Sequence, residues 1–209
     1  MKKTILVLSI LATCSNLFGQ SDVEPCYFDK YQRQNQLKVN EAEKIIKEEI
    51  SKSKLYQKAM TSPVKVIPVV VHIIHNGGTE NISDAQIQSQ IDVLNEDFRK
   101  ITGTNGDGNG VDTEIEFCLA KKTPNGECTN GIVRIQSTLS NHQTYQRSML
   151  KQLTYWDNTR YLNMYVVKSI NGSSGILGYS SFPGGPPDED GIVVRHNYFG
   201  RIGTAAASI

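Results

Sequence analysis

VKVIPVVVHIIH, residues 64–75, is a run of apolar and β-branched side chains interrupted only by Lys65, Pro68, His72 and His75. A strand with one wet face alternates apolar and polar residues; a run like this one reads as a strand buried on both faces. Asn76-Gly77-Gly78 ends it. Ser83 with Gln86 then forms a capping box, and Ile87, Ile91, Leu94 and Phe98 recur at helical spacing with polar residues on the other faces. This predicts an amphipathic helix placed directly after a central strand.

Downstream, residues 102–110 are rich in glycine and asparagine and read as a loop. Residues 114–120 and 131–136 read as two hairpin strands around the turn Thr123-Pro124-Asn125-Gly126, since proline followed by Asn-Gly is good turn chemistry. A short helix is expected over residues 148–156 and a strand over 161–170. Residues 175–182 read as a short glycine-containing strand, the kind found at a sheet edge or beside a ligand. A loop over 183–190 leads into a last strand, residues 191–195, and the final residues 203–208 add no further element. There is no internal repeat.

Upstream, Met1-Lys2-Lys3 followed by the apolar stretch from Ile5 to Ala12 has the form of an export signal, too short to span a bilayer, with cleavage expected near Gly19. Leu11-Ala12-Thr13-Cys14 also resembles a lipobox, so a lipoprotein anchored through Cys14 is an alternative. Either reading places the protein outside the cytoplasm, extracellular or periplasmic, and no later segment reads as a transmembrane span. Residues 20–63 are polar and lysine-rich. Asn40 with Glu43 marks a helix start, and Ala42, Ile46 and Ile50 form a thin apolar stripe, so the segment reads as a pro-segment or N-terminal extension, or else as a partly disordered linker. The 209 residues carry a net charge of +1 with 21% charged residues, which gives no long-range field for nucleic acid. In an oxidising compartment Cys118 and Cys128, flanking the turn, are expected to form a disulfide, leaving Cys26 as the odd cysteine.

Several motifs acquire weight from their order. They are Ile67-Pro68-Val69-Val70-Val71-His72, then Asn95-Glu96-Asp97-Phe98-Arg99, then Ile115-Glu116-Phe117-Cys118-Leu119-Ala120 with Asn130-Gly131-Ile132. Trp156-Asp157 and Tyr161-Leu162-Asn163-Met164-Tyr165-Val166 follow, then Gly175-Ile176-Leu177-Gly178-Tyr179, Phe182-Pro183-Gly184 and Asp190-Gly191-Ile192-Val193. Together, over about the last two-thirds of the chain, they resemble the pappalysin-like (cytophagalysin) branch of the metzincin zinc peptidases. The resemblance implies an α/β (α+β) fold, the N-terminal subdomain of a zincin-like domain, with a twisted mixed five-stranded sheet and backing helices, occupying residues 64–209. It also implies a secreted zinc metalloendopeptidase acting on peptide or protein substrates, expected to be a monomer.

In that family the zinc ligands and the general base lie on a helix bearing HExxHxxGxxH. No such motif occurs here, so the ligands are expected downstream of Ile209, the domain is expected to be incomplete, and the 209-residue chain is expected to be inactive alone; calcium in the full-length protein stays open. The four histidines, His72, His75, His142 and His196, include no pair at helical i,i+4 spacing. His72 and His75, three apart on a strand, point to opposite faces and are expected to serve packing and strand-end hydrogen bonding. The resemblance makes Gly175, Ile176, Leu177, Gly178 and Tyr179 a substrate-binding edge strand, where open N–H and C=O groups would capture an extended peptide. It also suggests that Cys26 is a latency ligand to zinc from the pro-segment; the odd cysteine count leaves a disulfide to a cysteine elsewhere as the alternative. Asp107 and Asp112 lack a calcium-loop spacing, Asp188-Glu189-Asp190 reads as a solvated loop, and Trp156 reads as a core aromatic. The competing functional reading is a non-catalytic exported binding or adhesion module on the same scaffold.

Overall fold

In the computed structural model, residues 33–34, 36–56, 64–172, 175–181 and 186–206 are described. The expected signal segment, Cys14, Cys26 and the Phe182-Pro183-Gly184 motif lie outside them. The elements in chain order are α1 (Gln36–Tyr56), β1 (Lys65–His75), α2 (Asp84–Phe98), β2 (Ile115–Leu119), β3 (Ile132–Gln136), β4 (Asn141–His142), α3 (Arg147–Gln152), β5 (Leu162–Val167), β6 (Ser169–Ile170), β7 (Gly178–Ser180) and β8 (Ile192–Arg195). The main sheet runs β2-β1-β5-β8-β7, with β3 also paired to β1, while β4 and β6 form a separate small ribbon. β7 pairs antiparallel with β8 and the other pairings of the main sheet are parallel, which makes it mixed.

β1 is the buried central strand that its composition demands. Val69, Val71 and Ile73 face α2 together with Ile87, Ile91, Phe117, Met164 and Val166. Ile74 on the opposite face joins Leu150 of α3, Tyr165, Val167, Ile176, Tyr179 and Val193. Helices thus cover both faces of the sheet around β1, whose own pairings are all parallel, and this is why β1 could not alternate. α2 begins at Ser83, whose side chain accepts from the Gln86 N–H. α1 begins earlier than the Asn40 cap expected from sequence: Asn40 lies inside the helix, where its Oδ1 accepts from the Gln36 side chain at 2.9 Å. Its buried positions are Val39 and Ala42, whereas Ile50 is 48% exposed, so the apolar stripe is displaced from the one anticipated.

The expected hairpin of residues 114–120 and 131–136 is not formed. β2 pairs in parallel with Lys65–Val69 and β3 in parallel with Val71–His75. β5 occupies the other side of β1 across Val69–Ile73, so β2 and β3 lie end to end along one edge and fill a single strand position, giving five positions in all. Between them the chain leaves at Ala120 and returns at Gly131, with the Ala120 N–H donating to Val69 C=O at 2.8 Å and the Val71 N–H to Gly131 C=O at 2.9 Å. Gly131 has φ +75°, and a Cβ there would sit 2.7 Å from the Ala120 nitrogen, so the neck closes only on glycine. The anticipated turn does exist within the excursion, where the Gly126 N–H donates to Thr123 C=O and Lys122 bridges Cys128.

The expected Cys118–Cys128 disulfide is likewise corrected. Cys118 is a half-buried free thiol on β2 and Cys128 an exposed free thiol in the excursion. With β2 and β3 collinear rather than side by side, the cross-strand geometry that would bridge them is absent.

Candidate functional site

Among the described residues β7 ends the sheet, paired on one side with β8. Its register is Gly178 with Val194, Tyr179 with Val193 and Ser180 with Ile192. The Arg195 N–H donates to Leu177 C=O at 2.9 Å, just before the strand. Antiparallel pairs alternate between bonded and non-bonded, so Leu177 and Tyr179 turn their backbone groups toward β8. Gly178 and Ser180 turn theirs outward, to the side on which no described strand pairs with β7. A Cβ on Gly178 would lie 2.8 Å from the Val193 carbonyl oxygen, so a side chain there would push β7 off β8.

The five residues expected to form the edge therefore divide. Gly178 presents open backbone groups. Leu177 and Tyr179 hold the strand in the sheet, the Tyr179 side chain being only 5% exposed. Gly175 and Ile176 precede the strand, and Ile176 is buried in the α3-side core. Ser180, which the sequence reading passed over, supplies the second open residue; strict alternation along an edge strand was the signal that could have found it.

Behind β7 lies a buried polar cluster. The Tyr179 hydroxyl is 2.8 Å from Nε2 of His142, a residue held in the β4–β6 ribbon. Lys151 of α3 is fully buried; its Nζ donates to Glu189 C=O at 2.6 Å and to Gly191 C=O at 3.1 Å, and stands 5.7 Å from the Tyr179 ring centre. Burial pushes the Lys151 ammonium down to about 8, against the pull of Asp190 and Glu189. Burial also lowers His142 to about 4, opposed by the Leu139 backbone.

The acidic run is not a freely solvated loop. Asp188 accepts from the Gln152 side chain at 2.9 Å, Glu189 from Ser148 at 3.0 Å, and Asp190 from both Asn158 at 2.8 Å and the Gly191 N–H at 2.7 Å. α3 thus grips the turn into β8.

On β1, His72 is fully buried, stacked on Tyr165 at 4.7 Å between ring centres. Asn163 Oδ1 accepts from the Trp156 N–H, while Asn163 Nδ2 donates to Trp156 C=O, each at 2.8 Å. This backbone pairing fixes which end of the amide is oxygen. His72 Nε2, 2.9 Å from that oxygen, must carry the proton, and Nδ1 accepts from the Thr154 hydroxyl at 3.2 Å. Burial lowers His72 to about 4, which keeps this neutral tautomer. His75 Nδ1 accepts from the Gly77 N–H at 3.2 Å, closing the strand end.

His196 Nδ1 lies 3.0 Å from the Thr204 hydroxyl, on the segment that follows β8. Gln86 holds that segment: its Nε2 donates to His196 C=O and Phe199 C=O, both at 2.9 Å, and its Oε1 accepts from the Thr204 N–H at 3.0 Å. Gln90 and Ser89 of α2 add bonds to the Gly200 and Arg201 N–H groups, and Arg201 pairs in bidentate fashion with Glu96.

A catalytic zinc needs three convergent protein ligands. The four histidines are dispersed and engaged as described, and among the described residues no group of three or more His, Cys, Asp or Glu could hold a metal ion. The described residues therefore do not fit the zinc that the family resemblance implies. No described helix is long and apolar enough to cross a membrane.

No protein-family model and no curated protein matches the chain. Solved structures do. Mature mirolysin of Tannerella forsythia in complex with a cleaved peptide is 36% identical, with 68% of this chain and 57% of that one covered and a TM-score of 0.61. Mirolysin in complex with compound 9 is 38% identical over 69% of this chain and 57% of that one, TM-score 0.60. A mutant of T. forsythia promirolysin is 32% identical over 87% of this chain and 62% of that one, TM-score 0.66. The chain spans about three-fifths of the length of these structures. A shared mixed sheet, its helices and this level of identity over most of the chain have one reading: the protein belongs to the pappalysin-like metzincins, the family of mirolysin.

Proposed function

We propose that this chain is the substrate-gripping part of an exported zinc metalloendopeptidase, and that β7 takes an extended peptide by strand addition. The observation that carries the reading is the edge of β7, which no other described strand covers and where Gly178 and Ser180 direct N–H and C=O groups outward from the end of the sheet. Such an edge can pair with a peptide backbone of any sequence, leaving selectivity to side-chain pockets. A mirolysin structure that holds a cleaved peptide supports the substrate class. Zinc, when bound, would polarise the scissile carbonyl and supply an activated water; its ligands would come from residues other than those described.

The N-terminal residues fit a pro-segment. The promirolysin match covers 87% of the chain and the mature mirolysin match 68%, a difference close in size to residues 20–63. Within that segment Cys26 would hold the enzyme latent, a thiolate being a good zinc ligand. Export follows from the first twenty residues.

The test is a titration of the 209-residue chain with an extended peptide of about eight residues, followed by amide NMR. Shifts confined to Gly178, Ser180 and their β8 neighbours are expected, without hydrolysis. Shifts only elsewhere, or none, would remove β7 as the peptide site. Binding at β7 by a full-length protein that never cleaves, with zinc supplied, would favour the binding-module reading instead.

A further inference from the structure

A three-residue strand with one sheet neighbour makes few backbone hydrogen bonds, so something else must fix its position. β7 has one side chain directed into the core, Tyr179, and that side chain ends on His142 at 2.8 Å. The residue following the strand, Ser181, donates from its hydroxyl to Glu189 C=O at 2.6 Å. That same carbonyl receives the buried Lys151 ammonium at 2.6 Å, which also reaches Gly191 C=O at the start of β8. Lys151 therefore ties the end of β7 and the beginning of β8 to α3 through one shared acceptor, and packs near the Tyr179 ring. A fully buried lysine is rare because desolvating its charge is costly. A methionine would fill the same space but could not bond two carbonyls.

We propose that Lys151, Tyr179 and His142 are positioning residues for the peptide-binding edge: they set where the open groups of Gly178 and Ser180 stand, and hence how well a peptide pairs with them. The proposal rests on the reading of β7 as the peptide site. None of the three touches the peptide; they act through the strand. The cluster joins three separate elements, α3, β7 and the β4–β6 ribbon, so it fixes β7 relative to the rest of the sheet rather than only stiffening it.

Two measurements on the 209-residue chain test this with Tyr179→Phe and Lys151→Met, against Ile91→Val as a variant that loses stability on the opposite face of the sheet. The first needs no peptide. Hydrogen exchange at the amides of Tyr179 and Val193 should quicken about tenfold or more in both cluster variants, that being the scale of one lost buried hydrogen bond. Val71 and Ile73 should be unchanged beyond any global loss. The second is peptide affinity, corrected for the folded fraction: about three- to tenfold weaker in Tyr179→Phe and unchanged in Ile91→Val. Wild-type exchange rates at Tyr179 and Val193 in both cluster variants overturn the proposal, as does an affinity loss in Ile91→Val equal to that in Tyr179→Phe. If Lys151→Met does not fold, Tyr179→Phe alone decides. A wild-type chain that binds no peptide at β7 sinks the peptide-site reading and the affinity part with it, while the exchange result still decides whether the cluster anchors the strand.

Discussion

Gln86 shows how much one side chain can organise. It is 1% exposed, and its amide bonds both His196 and Phe199 carbonyls and the Thr204 backbone on a segment more than a hundred residues later. Only half of the expected capping box is realised: the Ser83 hydroxyl accepts from the Gln86 N–H at 3.2 Å, but the Gln86 side chain turns away from the cap. The long-range bonds compete with the cap and win, because they satisfy the buried Phe199 carbonyl and the part-buried His196 carbonyl. Gln86→Leu keeps the size but takes the partner from the Phe199 C=O and the Thr204 N–H, while the His196 C=O keeps the Thr204 hydroxyl at 3.0 Å. We expect a loss of about 2–4 kcal/mol in urea denaturation, with the amides of residues 196–205 losing exchange protection first. A loss below about 0.5 kcal/mol, the range of ordinary surface changes, would mean that the segment is held by Gln90, Ser89 and Arg201 without Gln86.

At the scale of elements, the interrupted edge along β1 is the feature that local sequence could not reveal. Two short apolar runs around a good turn are the ordinary signature of a hairpin, and the turn at Thr123–Gly126 was read correctly. The deciding fact is the eleven-residue length of β1, long enough for two five-residue strands placed end to end. The outer edge of β2 is then closed by a side chain: Asn95 accepts from the Phe117 N–H at 2.7 Å and donates to Phe117 C=O at 3.0 Å, as a neighbouring strand would. β1, α2, β5 and β8 were legible because burial on two faces, helical periodicity and β-branched runs are local signals. The register of β2 and β3 depends on contacts distant in sequence. Gly131→Ala tests the closed neck. It combines a positive φ with a 2.7 Å approach to the Ala120 nitrogen and should cost about 2–4 kcal/mol. Gly126→Ala, with φ +90° and nothing within 4 Å, should cost only about 1–2 kcal/mol. Equal costs at the two sites would deny the neck. The same geometry predicts that Cys128 is alkylated readily without denaturant while Cys118 reacts slowly, read by peptide mass mapping; a Cys118–Cys128 disulfide in a non-reducing digest would contradict it.

For the whole molecule, the buried bases set the response to acid. His72 on one flank of the α3-side face and His142 behind β7 are both neutral in the fold, lowered by burial from 6.5 to about 4. In the unfolded chain they take up protons as pH falls through 6.5; in the fold they resist until about 4. Across that window the unfolded state binds more protons, so stability declines with falling pH, and each histidine contributes up to ~3 kcal/mol once the pH is below both values. Lys151 acts in the same direction at the alkaline end. Its pKa is lowered from 10.5 to about 8, so its destabilising effect is fully expressed below 8 and relieved as pH rises toward 10.5. Carboxylates held below their ordinary range, such as Glu96 by the Arg201 guanidinium and Asp112 by the Glu114 N–H and Arg99, add their loss at still lower pH. Urea midpoints should therefore fall steeply between pH 6.5 and 4. His142→Gln, which cannot take up a proton, should be less stable than wild type at pH 7 yet lose less on acidification, so that the two curves converge. Parallel curves would mean that His142 takes up its proton in the fold at the same pH as in the unfolded chain, and the neutral, buried pairing with Tyr179 behind β7 would have to be abandoned.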